Sequence, residues 1–256
     1  MIAQLPSVFL GAPLAHRALH DVKRGRPENS RAAIRAAIAA GYGIEIDLQL
    51  TRDDQAMVFH DYDMKRLTGQ AGPILGLASE QAQAVALAGG DGEGIPTLPE
   101  ILELVAGQVP LLIELKDQDG AMGPNVGPLE RATAAALVGY SGAVAVMSFN
   151  PNSTALMAEL APNIARGLVT SAYDPAEWPL SAATCDHLRE IPDYERAGCS
   201  FISHEAPDLE RPRVSELKAQ GAAILCWTVC SPKAEAKARK VAANVTFEQY
   251  LAAHPA

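Results

Sequence analysis

The stretch Gly43–Asp63, GIEIDLQLTRDDQAMVFHDYD, restricts the fold more than any other part of the chain. Ile44-Glu45-Ile46-Asp47-Leu48 alternates apolar and acidic residues with period two. That is a strand pattern, and it turns Glu45 and Asp47 to the same side. Two carboxylates facing one way repel each other. If that side is interior, their desolvation costs several kcal/mol unless a cation intervenes. Ala56–Asp61 is a second β-prone run that ends on a histidine, and only Thr51–Gln55 lies between the two. A parallel crossover needs about a dozen residues. The two strands are therefore expected to form a hairpin that brings His60 back to the carboxylate pair.

Around this hairpin the chain alternates strand and helix with short joints, which argues for a parallel sheet with helices outside it. Helix starts are marked by Asn29 or Ser30, by a Thr97–Glu100 capping box and by Ser231-Pro232. With the strand at 56–60 set aside as the hairpin partner, eight parallel strands are expected, near residues 14, 45, 112, 145, 167, 201, 225 and 245. The fold class is then α/β, a (β/α)8 TIM barrel, at a length such barrels reach as one domain, residues 1–256. Residues 62–96 contain two glycine-rich runs around one weak helical segment, Ser79–Leu87. They read as a small insertion after the second barrel strand, placed as a lid.

A net charge of -9 argues against nucleic acid or an anionic membrane surface as partner. No window approaches 18 uninterrupted apolar residues, so no transmembrane segment is expected, and the first residues lack the pattern of a signal peptide. Four cysteines without a CxxC pair suggest no disulfide framework and a cytoplasmic location. Cys226 and Cys230 read as buried free thiols.

The chemistry-bearing residues fall at predicted strand C-terminal ends, where such barrels place their sites: His16, Arg17, Glu45, Asp47, His60, Glu114, Lys116, Ser148 and His204. Alone, a Glu-x-Asp pair is more often solvated or salt-bridged, and Glu-x-Lys is more often an ion pair than a site. Together they say more. Three carboxylates from two neighbouring strands can hold one hard cation through oxygen. Arg17 and Lys116 suit an anion such as phosphate. Two histidines on different strands suit a base and an acid on opposite sides of a scissile bond. The joint reading is metal-assisted cleavage of a phosphate ester. Ser148 and His204 are weaker candidates for lining the site.

At these residues the sequence resembles the glycerophosphodiester phosphodiesterase family. The matching pieces are AHR (15–17), PENS (27–30), GIEIDLQLTRDD (43–54), VFHDYDMKRLTG (58–69), GIPTLPEIL (94–102), LLIELK (111–116), SFNP (148–151) and CWTV (226–229). The resemblance implies a TIM barrel with an insertion where residues 62–96 lie. It implies one divalent cation, Mg²⁺ or Ca²⁺, on Glu45, Asp47 and Glu114, with His16 and His60 as the acid–base pair. Arg17 and Lys116 would hold the phosphate, Glu28 and Asn29 would stand at the mouth, and Trp227 would lie near the substrate. The implied activity is hydrolysis of a small glycerophosphodiester to sn-glycerol 3-phosphate and an alcohol. Three positions depart from the family pattern: Ala18 where glycine is usual, Cys230 where asparagine is common, and NVTFEQY in place of an Asp-containing closing turn. Two other readings remain. One is cleavage of lysophospholipids, for which Ile74, Leu75, Leu77, Val85 and Leu87 would supply an apolar groove in the lid. The other is a barrel that binds a metabolite without catalysis.

Overall fold

The structure, a computed structural model, describes residues 2–255. Three strands come first: β1 (Leu14–Ala15), β2 (Gly43–Leu50) and β3 (Ala56–Val58). Then follow β4 (Leu111–Leu115), β5 (Val144–Ser148), β6 (Ala165–Thr170), β7 (Phe201–Glu205), β8 (Ala223–Val229) and β9 (Asn244–Phe247). All pair in parallel in the order β1-β9-β8-β7-β6-β5-β4-β2, and β1 also pairs with β2, so the eight-stranded barrel closes. The exception is β3, which runs antiparallel to the upper end of β2, with Leu48 opposite Val58. The expected hairpin is present and the barrel count is eight.

The helices are α1 (Arg31–Ala40), α2 (Lys65–Thr68), α3 (Ser79–Gln83), α4 (Leu98–Val105), α5 (Pro128–Ala136), α6 (Pro151–Leu160), α7 (Ala182–Arg189), α8 (Pro212–Ala219) and α9 (Pro232–Ala238). Their starts follow the local chemistry of orphan amides. Ser30 accepts from the Ala33 amide, and Thr97 and Glu100 form a reciprocal capping box. Gly41 ends α1 in the left-handed conformation that favours glycine. None of the described helices is long and apolar enough to cross a membrane.

Strand parity sorts the core into two layers. Ile44, Ile46, Leu48, Ile113, Val146 and Ile202 point outward against the helices in the main cluster. Leu14, Leu112, Ala145, Met147, Ala165, Val169, Phe201 and Leu225 fill the barrel interior, with Phe9 among them. Phe9 belongs to a short 3-10 helix, Ser7–Leu10, and Asn244 on β9 donates to the Phe9 and Ala12 carbonyls at 2.7 and 2.8 Å. This closes the bottom of the barrel with carbon and leaves the polar chemistry to the top.

Residues 62–96 carry α2, a 3-10 turn and α3, and they form a small core of their own. Met64, Leu67, Ile74, Ala82, Val85, Leu87 and Ile95 pack there with Met57 and Phe59 of the hairpin. The helical segment expected over Ser79–Leu87 stops at Gln83. Beyond it the chain extends, with Ala86 bridged to Gly94, so Val85 and Leu87 enter the core at alternate positions. The lid groove expected from Ile74, Val85 and Leu87 is therefore absent among the described residues. These three are at most 6% exposed, and only Leu75 of the five, at 49%, faces outward.

Candidate active site

Parity on β2 sends Glu45 and Asp47 inward while Ile44 and Ile46 face the helices. The parallel register sets Asp47 beside Glu114 on β4. The result is a trio of buried carboxylates, Glu45, Asp47 and Glu114, with one oxygen from each within 4.8 Å of the others. Two neighbouring cations offset part of the charge. Lys116 Nζ lies 2.8 Å from Asp47 and 2.6 Å from Glu114, and Arg17 Nε lies 3.7 Å from Asp47. Among the described residues Glu45 has no cation in ion-pair contact, although Lys116 acts on it from a distance. Its carboxylate accepts the backbone N–H of Arg17 at 2.9 Å.

The titration behaviour follows from these contacts. Burial, then Asp47 and Glu114, push the Glu45 carboxyl well above the carboxylate range. Burial would raise Asp47 too, but Lys116, His60 and Arg17 outweigh it and hold Asp47 far below that range. Burial raises Glu114 despite Lys116. Burial disfavours the Lys116 ammonium, yet Asp47 and Glu114 more than restore it and raise its pKa. Asn29 completes the setting. It donates Nδ2–H to Asp47 at 2.9 Å from a left-handed backbone, φ 58°, that asparagine tolerates. Ala18 is also left-handed, φ 64°, a conformation glycine would adopt without a Cβ penalty.

Each of the two histidines has a carboxylate on Nδ1. His16 follows β1 and lies 2.8 Å from Glu248, the residue after β9. His60 follows the hairpin and lies 2.7 Å from Asp61. Asp61 is gripped by Arg66 through two bonds of 2.7 Å. Arg66 also binds both oxygens of Glu28, which in turn accepts from Arg17 at 2.8 Å. Glu28, His60 and Asp61 converge closely enough to suggest a second cation site, but Arg66 already neutralises both carboxylates. Burial lowers the pKa of both imidazoles, His60 to about 4.

A pocket of about 90 Å³ joins these groups: His16, Arg17, Glu45, His60, Glu114, Lys116 and Trp227 all line it. Above it opens a cleft of about 830 Å³ that shares His60, Glu114, Lys116 and Phe149. Its outer wall is Tyr62, Met122, Phe149 and Trp178, with Phe149 and Trp178 ring centroids 5.1 Å apart. Tyr62 donates its hydroxyl to the Asp117 carbonyl at 2.8 Å and so ties the inserted segment to the loop after β4.

Sequence reasoning passed over several of these groups. Glu248 stands at the end of the eighth barrel strand, and the strand-end rule applied there would have found it. Asp61 follows His60 directly. Phe149 carries the inward parity that its neighbour Ser148 lacks. Ser148 does not line the site: its hydroxyl donates to the Leu115 carbonyl at 2.7 Å and accepts the Asn150 amide. His204 does not line it either. It sits on the outward face of β7, bonded to Thr170 at 2.8 Å and to Asp208 at 3.1 Å. Both were placed by position along the strand, while parity decides which side they face. Trp227 faces inward, donating Nε1–H to the Ser203 carbonyl at 3.0 Å. Cys226 is buried as expected, but Cys230 is exposed, since it follows β8 on the surface.

Oxygen donors, cations and paired imidazoles gathered at the C-terminal mouth of a closed (β/α)8 barrel define a phosphoric diester hydrolase. The family model of the glycerophosphoryl diester phosphodiesterases matches residues 16–247. The chain belongs to that family. YhdW of Bacillus subtilis, provisionally named for the same activity, is 28% identical over 232 residues, 88% of this chain and 89% of that one. A glycerophosphodiester phosphodiesterase of Caldanaerobacter subterraneus is 31% identical over 165 residues, 61% of this chain and 65% of its own. Among solved structures, a phosphodiesterase of Oleispira antarctica in complex with the product sn-glycerol-3-phosphate superposes with a TM-score of 0.75. It is 25% identical, covering 94% of this chain and 93% of that one.

Proposed function

We propose that this enzyme hydrolyses glycerophosphodiesters to sn-glycerol 3-phosphate and an alcohol, with His16 and His60 as the acid–base pair and a divalent cation on Glu45, Asp47 and Glu114. The observation that carries the reading is the convergence of three buried carboxylates, Glu45, Asp47 and Glu114, two of which, Glu45 and Glu114, line a pocket that both imidazoles also line. The donor set fits a hard cation such as Mg²⁺ or Ca²⁺: all three ligands are oxygen, and Glu45 is buried with no cation in ion-pair contact among the described residues. When bound, such a cation supplies charge neutralisation and Lewis acidity for the phosphoryl group. The protein's own residues do the rest. Lys116 and Arg17 present positive charge to the phosphate at the pocket floor. Glu28 and Arg66 hold Arg17 and Asp61 in place, and Asn29 fixes Asp47. One imidazole takes a proton from the attacking hydroxyl or water, and the other gives one to the departing alkoxide. Trp227 walls the pocket.

The segment 62–96 serves as one wall of the cleft within a single domain, through Tyr62, Asp63, Lys65 and Arg66. The four free thiols fit a reducing compartment, and the reading places the enzyme in the cytoplasm. The width of the cleft and the wall of Met122, Phe149 and Trp178 favour a second substrate class, lysophospholipids, whose apolar portion would lie against that wall.

The test is release of sn-glycerol 3-phosphate from a panel of glycerophosphodiesters, with and without EDTA, alongside a lysophospholipid. Release that EDTA abolishes and a divalent cation restores is expected. His16→Ala and His60→Ala should each lower kcat by about 10²–10⁴-fold. Near-normal turnover in both variants would overturn the assignment, and no release from any diester would leave a binding barrel.

A further inference from the structure

We propose that Glu248 is the positioning residue of His16, with His20 standing close to the same carboxylate oxygen. The inference rests on His16 acting as one of the acid–base groups. Nothing in the pairing is local: Glu248 and His16 are 232 residues apart and meet because β9 and β1 are neighbours in the barrel. Their backbones are locked first. The His16 amide donates to the Phe247 carbonyl at 2.9 Å, and the Glu248 amide donates to the Val229 carbonyl at 3.0 Å. From that fixed base Glu248 Oε2 reaches His16 Nδ1 at 2.8 Å and stands 3.5 Å from His20 Nε2.

An ionised carboxylate only accepts hydrogen bonds, so His16 must carry its neutral-form proton on Nδ1. That leaves Nε2 with the lone pair, and it is the nitrogen left free for the small pocket that His16 lines. The carboxylate charge also stabilises the imidazolium once Nε2 takes up a proton. The two histidines differ here. Asp61, behind His60, spends its charge on Arg66 through two bonds. Glu248 forms ion pairs with no arginine or lysine among the described residues, only with His16 and His20. Its remaining contacts are Gln249 Nε2 at 3.1 Å and Cys230 Sγ at 3.8 Å, both on Oε1. Glu248 thus acts on His16 without an arginine or lysine competing for its charge, and Gln249 holds its other oxygen beside the surface cleft that Glu248 lines.

The experiment has two readouts, one independent of turnover. In ¹⁵N-histidine-labelled protein, with the His16 signals assigned by a His16→Gln variant, imidazole NMR should show His16 as the Nδ1–H tautomer. In Glu248→Ala it should shift toward the Nε2–H form. In the same variant, kcat on a glycerophosphodiester should fall by about 10–100-fold, the range seen when a histidine loses its orienting partner at a catalytic site, with KM changed by less than threefold. Glu248→Asp should recover part of the loss. If the alanine variant fails to fold, Glu248→Met, close in size and without an oxygen to accept from Nδ1–H, carries both readouts, with a tautomer shift and a kcat loss of at least threefold expected. His16 remaining Nδ1–H in a folded Glu248 variant whose side chain has no oxygen to accept a hydrogen bond, or kcat within twofold of the parent in that variant, overturns the proposal. A parent protein that turns over no diester would refute the function proposed above, and the tautomer shift would still decide the role of Glu248.

Discussion

Glu45 is the residue at which burial and charge conflict most. Its carboxyl is pushed up by desolvation and by two like charges, so ionising it costs the folded, cation-free protein stability. Each unit of such a shift is worth about 1.4 kcal/mol. Glu45→Gln is therefore expected to raise the melting temperature of the EDTA-treated protein, by about 2–4 °C per kcal/mol relieved. It should also abolish the stabilisation that Mg²⁺ or Ca²⁺ gives the parent, so a scan with and without cation checks both parts. His60 works in the opposite pH direction. Its pKa drops from the ordinary 6.5 to about 4 on folding, chiefly by burial. Above 6.5 neither state is protonated and nothing is gained or lost. As pH falls toward 4 the unfolded chain takes up a proton the folded one refuses, and about 3 kcal/mol of stability drains away. His60→Gln should flatten that slope between pH 6.5 and 4 in urea titrations, and an unchanged slope would refute the cause. At this scale the carboxylate trio was legible, because three acidic residues fall at the same end of neighbouring predicted strands together with two histidines and two cations. Glu248 was within reach of the strand-end rule, but its pairing was not, since no local pattern announces a partner 232 residues away.

Among the elements, the β2–β3 hairpin places both the Glu45–Asp47 carboxylate pair and His60 on one continuous piece of backbone. The spacing of Thr51–Gln55 made this readable, because five residues are too few for a crossover. The inserted segment was harder. Its glycines announced irregular structure, but its apolar residues gave no period that says which way they face, and they turned out to pack on each other and on Met57 and Phe59. Ile74 is 1% exposed in that small core. Ile74→Ala should cost about 2–5 kcal/mol there. Hydrogen exchange should then show protection lost over 62–96 well before the barrel strands. Uniform loss across the barrel would mean the segment is not a separate unit. Ser148 and His204 teach the complementary lesson. Finding the top of a strand is easier than finding its inward side, because the latter needs a register set by partner strands.

For the molecule as a whole, the number of strands and their alternation with helices were readable, because closure of a parallel sheet leaves few alternatives at eight strands. What the sequence did not display is how slender the seam is. β1 is two residues long, and Leu14 and Ala15 pair with β2 on one side and β9 on the other. His16 and Glu248 lie just past that seam. In a refolding time course, intrinsic fluorescence from Trp178 and Trp227 should recover no later than hydrolysis, and activity preceding the fluorescence change would contradict this order. The same geometry governs the protein during its synthesis. A nascent chain that has not yet added β9 has Glu45, Asp47, Glu114 and both site histidines, yet neither Glu248 nor the eighth staff to shut the cask around them. The site is thereby left open until β9 joins β1 and β8.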